Sequence, residues 1–380
     1  MSPSHQFDES SRLIRTMTER FVAQEVAPHI DQWERQQEFP LSLYRKAGEA
    51  GILGLDYPEA LGGTPCNAFG LIALTEALMS AGSGGLVASL LSHNIGLPPL
   101  VNFGSDSLKQ RVVPEVLSGS AIAALAVTEP SGGSDVASIK TRAIDEGDHY
   151  RVSGSKTFIT SGSRADYFTV AVRTGDFGPK GVSLLLMEAN TPGLSRGSKL
   201  EKMGWHASDT CELFFDDCLV PKANLIGKQN QGFKLIMANF QKERMSLAVM
   251  ANETAQLALD SALAYAKQRK AFGSALTEKP VIRHQLAEMA TKLAASKQFL
   301  YHCAARFDAG EEVSLELSMA KNLATDCSDF VTHQAVQIFG GMGYMRESLV
   351  ERLYRDSRIL SIGGGTREIM NEIIAKGLID

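Results

Sequence analysis

Apolar positions recur at helical spacing over the first third of the chain. From Asp8 they fall at Leu13, Ile14, Met17, Phe21 and Val22, which predicts a helix ending near Pro28. Pro40 fits the first turn of a second helix, YPEALGGTP reads as a turn-rich break, and the helical period resumes over residues 67–81. After a glycine-rich patch, LVASLLSHN and SLKQRVVPEVLSG carry it on, so residues 1–122 are expected to form an N-terminal α-helical domain.

The period then switches. AIAALAVTE, SIKTRAI, HYRVSG, KTFIT, DYFTVAVR, GVSLLLME and CELFFDD are short runs rich in β-branched and aromatic residues, separated by turn residues such as EGD, SGS and TPG. They predict a middle antiparallel β-barrel or sandwich over residues 123–226. Strands do not alternate with helices here, which disfavours a Rossmann domain. Long amphipathic segments return over residues 232–272, 280–310 and 314–341. With the C-terminal segment 366–378 they supply a four-helix bundle over residues 227–380, making the chain an α+β multi-domain protein.

Composition narrows the function. The formal net charge of −5 gives no electrostatic support to nucleic-acid or membrane-surface binding, and no apolar run approaches a membrane span. Five scattered cysteines without a CxxC, and eight histidines without close ligand spacing, argue against disulfides and against a metal site. The first twenty residues lack an apolar signal core and carry Asp and Glu, which points to a cytoplasmic protein, or to a mitochondrial-matrix protein in processed form.

Local motifs are individually weak. GLSRG (193–197) matches the G-x-S-x-G nucleophile elbow, but that motif needs a strand before the serine and a helix after it. Here Pro192 precedes it and SKLEKMGWHAS follows as turn and strand, so the match is a coincidence in a loop. Neither G-x-G-x-x-G nor a P-loop occurs. AVTEPSGGSD (126–135) runs a strand into small hydroxyl and glycine residues, a turn that can present N–H and hydroxyl groups to a pyrophosphate or ring carbonyl. Standing alone, it would read as an ordinary β-turn.

It does not stand alone. AVTEPSGGSD, KTFITSG, RKAFG (269–273), QIFGGMGYM (337–345) and GGTREIM occur in this order within a helix–β–helix plan. Together they make the whole chain resemble the acyl-CoA dehydrogenase family, closest to its long-chain and isovaleryl types. The resemblance implies FAD as cofactor. Leu125, Val127, Thr128, Gly133, Ser134, Phe158, Ile159 and Thr160 would then lie at the flavin, with the Thr160 hydroxyl near N5 and Phe158 packed on the ring. Arg269, Phe272, Gln337, Gly340 and Gly341 would reach the FAD of a neighbouring subunit in a homotetramer built as a dimer of dimers, and Thr366 and Glu368 would complete the cofactor site. Arginine suits bidentate phosphate binding and glycine permits close backbone approach. Ser134, Gln241, Arg244, Gly364 and Gly365 would contact the acyl-CoA substrate. One departure stands out: where relatives often carry Gln after RKxFG, this chain has Lys279-Pro280.

The family's reaction removes a proton α to a thioester while hydride leaves the β-carbon. Such a weak carbon acid calls for a carboxylate in a dry pocket, where desolvation raises its basicity. Many relatives place that Glu directly before the Gly-Thr of the C-terminal loop, but this chain reads SIGGGT, with Gly363 and Gly364 there. In long-chain and isovaleryl relatives the Glu lies instead on an early helix of the C-terminal domain, just before an Arg. NFQKERMSLA supplies Glu243 and Arg244, although Glu243 falls off the clearest apolar stripe of Ile236, Met237, Phe240 and Leu247. The freed volume at the glycines is expected to admit the Glu243 carboxylate and a long or β-branched acyl chain. The expected electron acceptor is an electron-transfer flavoprotein. A flavin oxidase or monooxygenase on the same fold, and a non-catalytic FAD-containing binding protein, are the alternatives.

Overall fold

The computed structural model describes residues 7–379. Eight helices come first: α1 (Glu9–Phe21), α2 (Ile30–Gln36), α3 (Ser42–Glu49), α4 (Ala68–Met79), α5 (Gly84–Leu90), α6 (His93–Gly96), α7 (Pro98–Phe103) and α8 (Asp106–Leu117). Their starts follow capping chemistry. The Asp8 carboxylate accepts from Ser11 N (2.7 Å) and the Asn67 amide oxygen from Gly70 N (2.9 Å), each satisfying a free first-turn N–H. Pro28 lies in the turn beyond α1, after one wider helical turn through Val26.

Eight strands follow: β1 (Ala123–Ala126), β2 (Arg142–Asp145), β3 (His149–Thr160), β4 (Tyr167–Arg173), β5 (Val182–Glu188), β6 (Leu194–Arg196), β7 (Thr210–Pro221) and β8 (Leu225–Ile226). They form one sheet in the order β6-β7-β3-β2-β4-β5-β8, with β1 beside β4. Pairing is antiparallel except for β1 with β4 (Ala123 opposite Tyr167) and β2 with β4 (Arg142 opposite Arg173), which are parallel. β4 and β5 are buried along nearly their whole length, as an apolar run covered on both faces must be. HYRVSG and KTFIT, separate runs by sequence, are one strand: the ladder to β7 shifts register between Val152 and Gly154 and again between Lys156 and Ile159 instead of turning. GLSRG contributes the short edge strand β6, with Ser195 exposed and no helix after it, so it is no nucleophile elbow.

The C-terminal part packs α9 (Gly232–Gln268), α10 (Pro280–Asp308), α11 (Ser314–Phe339) and α13 (Arg367–Ile379), with a further helix, α12 (Leu349–Ser357), before the last. Ala255, Ala258, Ala262 and Ala266 on α9 are fully buried and share a core with Met289 and Leu293 of α10 and Val331 and Ala335 of α11. Small residues at i, i+3 and i+4 spacing let these helices approach closely. Among the described residues, no helix is long and apolar enough to cross a membrane.

Candidate active site

Glu243 lies in the first half of α9, and its position off the apolar stripe does not leave it in water. The C-terminal glycine loop covers it. Gly364 has a left-handed backbone (φ +64°), and a Cβ built there would lie 2.4 Å from Leu247 Cδ1 and 3.4 Å from Glu243 Oε1. The room left by a missing loop side chain is therefore filled by the helix glutamate and its neighbour. Part of the Glu243 stem is exposed, but Oε2 is shielded from solvent and has no hydrogen-bond partner. Burial pushes the carboxyl up to about 7, against the opposing pull of Lys321 and then Arg244. Arg244 is itself buried, with its Nε unpartnered.

Lys321 escaped the sequence reading. It is 1% exposed on α11, and its Nζ donates to the carbonyls of Gly363 (2.5 Å) and Gly365. A signal was present: Lys321 shares a helical stripe with Leu317, Ala324 and Ser328, all buried, and a charge on such a stripe needs a reason. Gln241, expected at the substrate, donates its amide to Glu312 Oε1 (3.1 Å) and Ser314 Oγ (2.5 Å) at the α10–α11 turn.

The β-domain segments meet through a buried ion pair. Lys156 Nζ donates to Glu129 Oε1 (2.8 Å) and to the Val127 carbonyl (3.0 Å), and Thr157 N donates to Thr128 O (2.9 Å). This ties the AVTEP turn to the KTFIT strand where β3 leaves its ladder. At that break Phe158 adopts a left-handed backbone (φ +59°) and is 68% exposed. A non-glycine residue held there with its ring in the open is a strained, presented side chain. Thr128, Thr160 and Leu125 are half-buried, Gly133 and Ser134 are exposed, and a Cβ at Gly133 would meet Thr128 Cγ2 at 3.3 Å. Ile159 and Val127 are buried in the core, so any contact they make with a ligand runs through their backbone. Glu129 and Lys156 were not singled out from the sequence, although charges inside strand runs could have marked them.

A third group gathers at the far end of the bundle. Arg269 caps the C-terminus of α9, Phe272 (φ +52°) is 99% exposed, and Gln337, Gly340 and Gly341 are exposed at the end of α11. Tyr265 stacks on Phe339 at 4.2 Å, which brings these two helix ends together. No atom would obstruct a Cβ at Gly340 or Gly341 within 4 Å. Arg269 is 26 residues from Glu243 along one helix, roughly 39 Å at the α-helical rise, so one chain does not bring this group to Glu243. Pro280, in the segment after RKxFG where a Gln was expected, is the first residue of α10, and Lys279 donates to Ser274 Oγ (2.7 Å). The Thr366 hydroxyl caps Ile369 N (3.3 Å) at the start of α13, and Glu368 is exposed in its first turn.

The presented aromatic ring of Phe158, with half-buried threonines on the two segments joined beside it, fits the planar ring of a flavin. The open glycines and arginine at the bundle end fit its phosphates. Matches to known proteins span nearly the whole chain. Three family models match in order: the acyl-CoA dehydrogenase N-terminal domain over residues 8–120, the middle domain over 124–218 and the C-terminal domain over 230–379. The chain is 39% identical over 369 residues to an acyl-CoA dehydrogenase of Bacillus subtilis (strain 168), covering 97% of each. It is 35% identical over 380 residues to the mitochondrial isobutyryl-CoA dehydrogenase of Bos taurus, covering 100% of this chain and 91% of the relative. The crystal structure of acyl-CoA dehydrogenase from Geobacillus kaustophilus superposes with a TM-score of 0.95 at 38% identity, covering 98% of this chain and 99% of that one.

Proposed function

The chain belongs to the acyl-CoA dehydrogenase family, an FAD-dependent oxidoreductase, and on that premise we propose that it desaturates long or branched acyl-CoA thioesters with Glu243 as the base. The observation that carries this is the Glu243 carboxyl, enclosed against Gly364 with Oε2 unpartnered. A buried acceptor with no donor is ready to take a proton, and a value of about 7 makes it a stronger base than an exposed glutamate while leaving it ionised above neutrality. Bound FAD supplies the acceptor for the hydride leaving the β-carbon. Phe158, Thr128 and Thr160 would hold the ring in one subunit. Arg269, Phe272, Gln337, Gly340 and Gly341 of a second copy would hold the remainder, since within one chain they are too far from Glu243.

Gly363 leaves room for a broader acyl chain. A Cβ there would meet only the Ile359 carbonyl, at 3.6 Å, whereas the space beside Gly364 is already taken by Leu247 and Glu243. The electron acceptor that suits such an enzyme is an electron-transfer flavoprotein, with a homotetramer as the working assembly.

Anaerobic addition of butyryl-, isobutyryl-, isovaleryl- and palmitoyl-CoA to the purified yellow protein tests this. Bleaching of the flavin absorbance is expected, fastest with a branched or long chain. Fastest bleaching by butyryl-CoA would overturn the widening argument, and no bleaching by any of them would overturn the function. Rapid recolouring in air would move the assignment to an oxidase.

A further inference from the structure

Lys321 is a buried cation whose hydrogen bonds go to no carboxylate. Burying an ammonium is expensive unless its donors are satisfied, and here two of them are satisfied by Gly363 and Gly365, the residues on either side of the one that faces Glu243. Three consecutive glycines leave a loop with large conformational freedom, and Gly364 and Gly365 both sit in the left-handed region (φ +64° and +92°). Such a loop does not hold one conformation by its own preferences. The two carbonyls captured by Lys321 anchor the 363–364 and 365–366 peptides, on either side of the 364–365 peptide, and so fix the wall against which the Glu243 carboxylate rests.

We propose that Lys321 is a positioning residue of the active site, clamping the triple-glycine loop against Glu243 and supplying the positive charge that lets the buried base ionise. This rests on Glu243 being the base. The charged groups facing Glu243 are few. α11 contributes Lys321 and its own helix contributes Arg244, while Lys242 is turned away to Asp56 and the C-terminal loop presents only glycine backbone. Burial opposes ionisation of the glutamate, and Lys321 is the stronger of the two cations that counter it. Burial likewise pulls the Lys321 ammonium down to about 8, with Glu243 drawing it back up. The two groups thus support one another's charge across the loop without forming an ion pair.

The test uses FAD-loaded Lys321→Met and Lys321→Arg proteins, with the pH dependence of kcat/KM from pH 5.5 to 9 and amide hydrogen exchange of the segment 360–370. Lys321→Met removes both clamp and charge. The acid limb is expected to move up by about one pH unit or more, as loss of a nearby countercharge requires, and Gly363 to Thr366 should exchange at least ~10-fold faster. Lys321→Arg keeps the charge, but its planar fork does not reproduce the two carbonyl contacts. Its loop should loosen while the acid limb stays within about 0.3 pH units of wild type. A Lys321→Met protein with the wild-type limb and wild-type exchange overturns the proposal. Should that variant fail to retain FAD, a Lys321→Arg limb displaced by a full unit, or its loop exchange unchanged, overturns it instead. Glu243→Gln separates the two levels: if that variant turns over at the wild-type rate, the base assignment is at fault, whereas an inactive Glu243→Gln beside an unaltered Lys321→Met refutes the role of Lys321 alone.

Discussion

Two glutamates, each with a buried lysine nearby, meet opposite fates in this molecule. Glu129 accepts from Lys156 Nζ (2.8 Å), Lys140 N (2.6 Å) and Thr141 N (2.8 Å). Burial pushes its carboxyl up, but Lys156 and these N–H groups more than offset that, and it titrates below the ordinary range. Glu243 has a shielded oxygen with no donor, and its lysine is turned to loop carbonyls instead. Burial therefore wins, and the carboxyl rises to about 7. Both carboxyls face a cation, but only one is also hydrogen-bonded: a glutamate held by Lys156 and two N–H groups is locked as a carboxylate and fastens two segments, while one with an unpartnered oxygen is poised to take a proton. Poise has a thermodynamic consequence. With about 7 in the fold against an ordinary 4.5, the stabilising contribution of Glu243 is complete below pH 4.5 and is lost as pH rises through 7, a swing of about 3 kcal/mol.

The comparison can be broken at either end. Lys156→Met leaves Glu129 buried without its cation, and unfolding in denaturant should show a loss of about 3–5 kcal/mol together with weakened flavin retention. A loss under 1 kcal/mol would mean that Glu129 is as loosely held as Glu243. At the other end, Gly364→Ala places a Cβ 2.4 Å from Leu247 Cδ1 on a left-handed backbone. It is expected to cost about 1–2 kcal/mol from the backbone alone, and to lower the rate of flavin bleaching by displacing the wall of the base. Gly363→Ala, with only a carbonyl at 3.6 Å, serves as the control and should stay within about 0.5 kcal/mol of wild type. Equal effects at the two glycines would remove Gly364 from its place beside Glu243.

Features set by local chemistry were legible in the sequence. The helix starts at Asp8 and Asn67 follow from capping, and the apolar runs of β4 and β5 from their burial. The long helices follow from periodicity. Features set by distant pairing were not. Nothing in AIAALAVTE says that Ala123 lies parallel to Tyr167, and SGS inside β3 looks like a turn although the chain continues through it with a bulge. β6 is three residues at a sheet edge, too short to show alternation. In the site, attention to Glu243 came from the glycines of the C-terminal loop, and the structure sets it beside one of them, Gly364. Lys321 was marked only as a charge on an apolar stripe; its role was not legible, since its partners are backbone carbonyls more than forty residues away, and carbonyls leave no trace in a sequence. The left-handed backbone at Phe158 was equally invisible, because it arises from the break in the ladder and not from the residue's own preference.

The central claim is that Glu243 removes the proton. Anaerobic rapid mixing of acyl-CoA with the FAD-loaded protein, following flavin bleaching across pH 5.5 to 9, tests it most directly. For the wild-type protein the rate should rise with pH through an apparent value of about 7, as deprotonation of Glu243 requires. For Glu243→Gln, with FAD content and acyl-CoA binding retained, bleaching at pH 8 should be slower by a factor on the order of 10²–10⁴ and should lose that limb. A Glu243→Gln protein that bleaches at the wild-type rate with the same pH dependence would contradict the account.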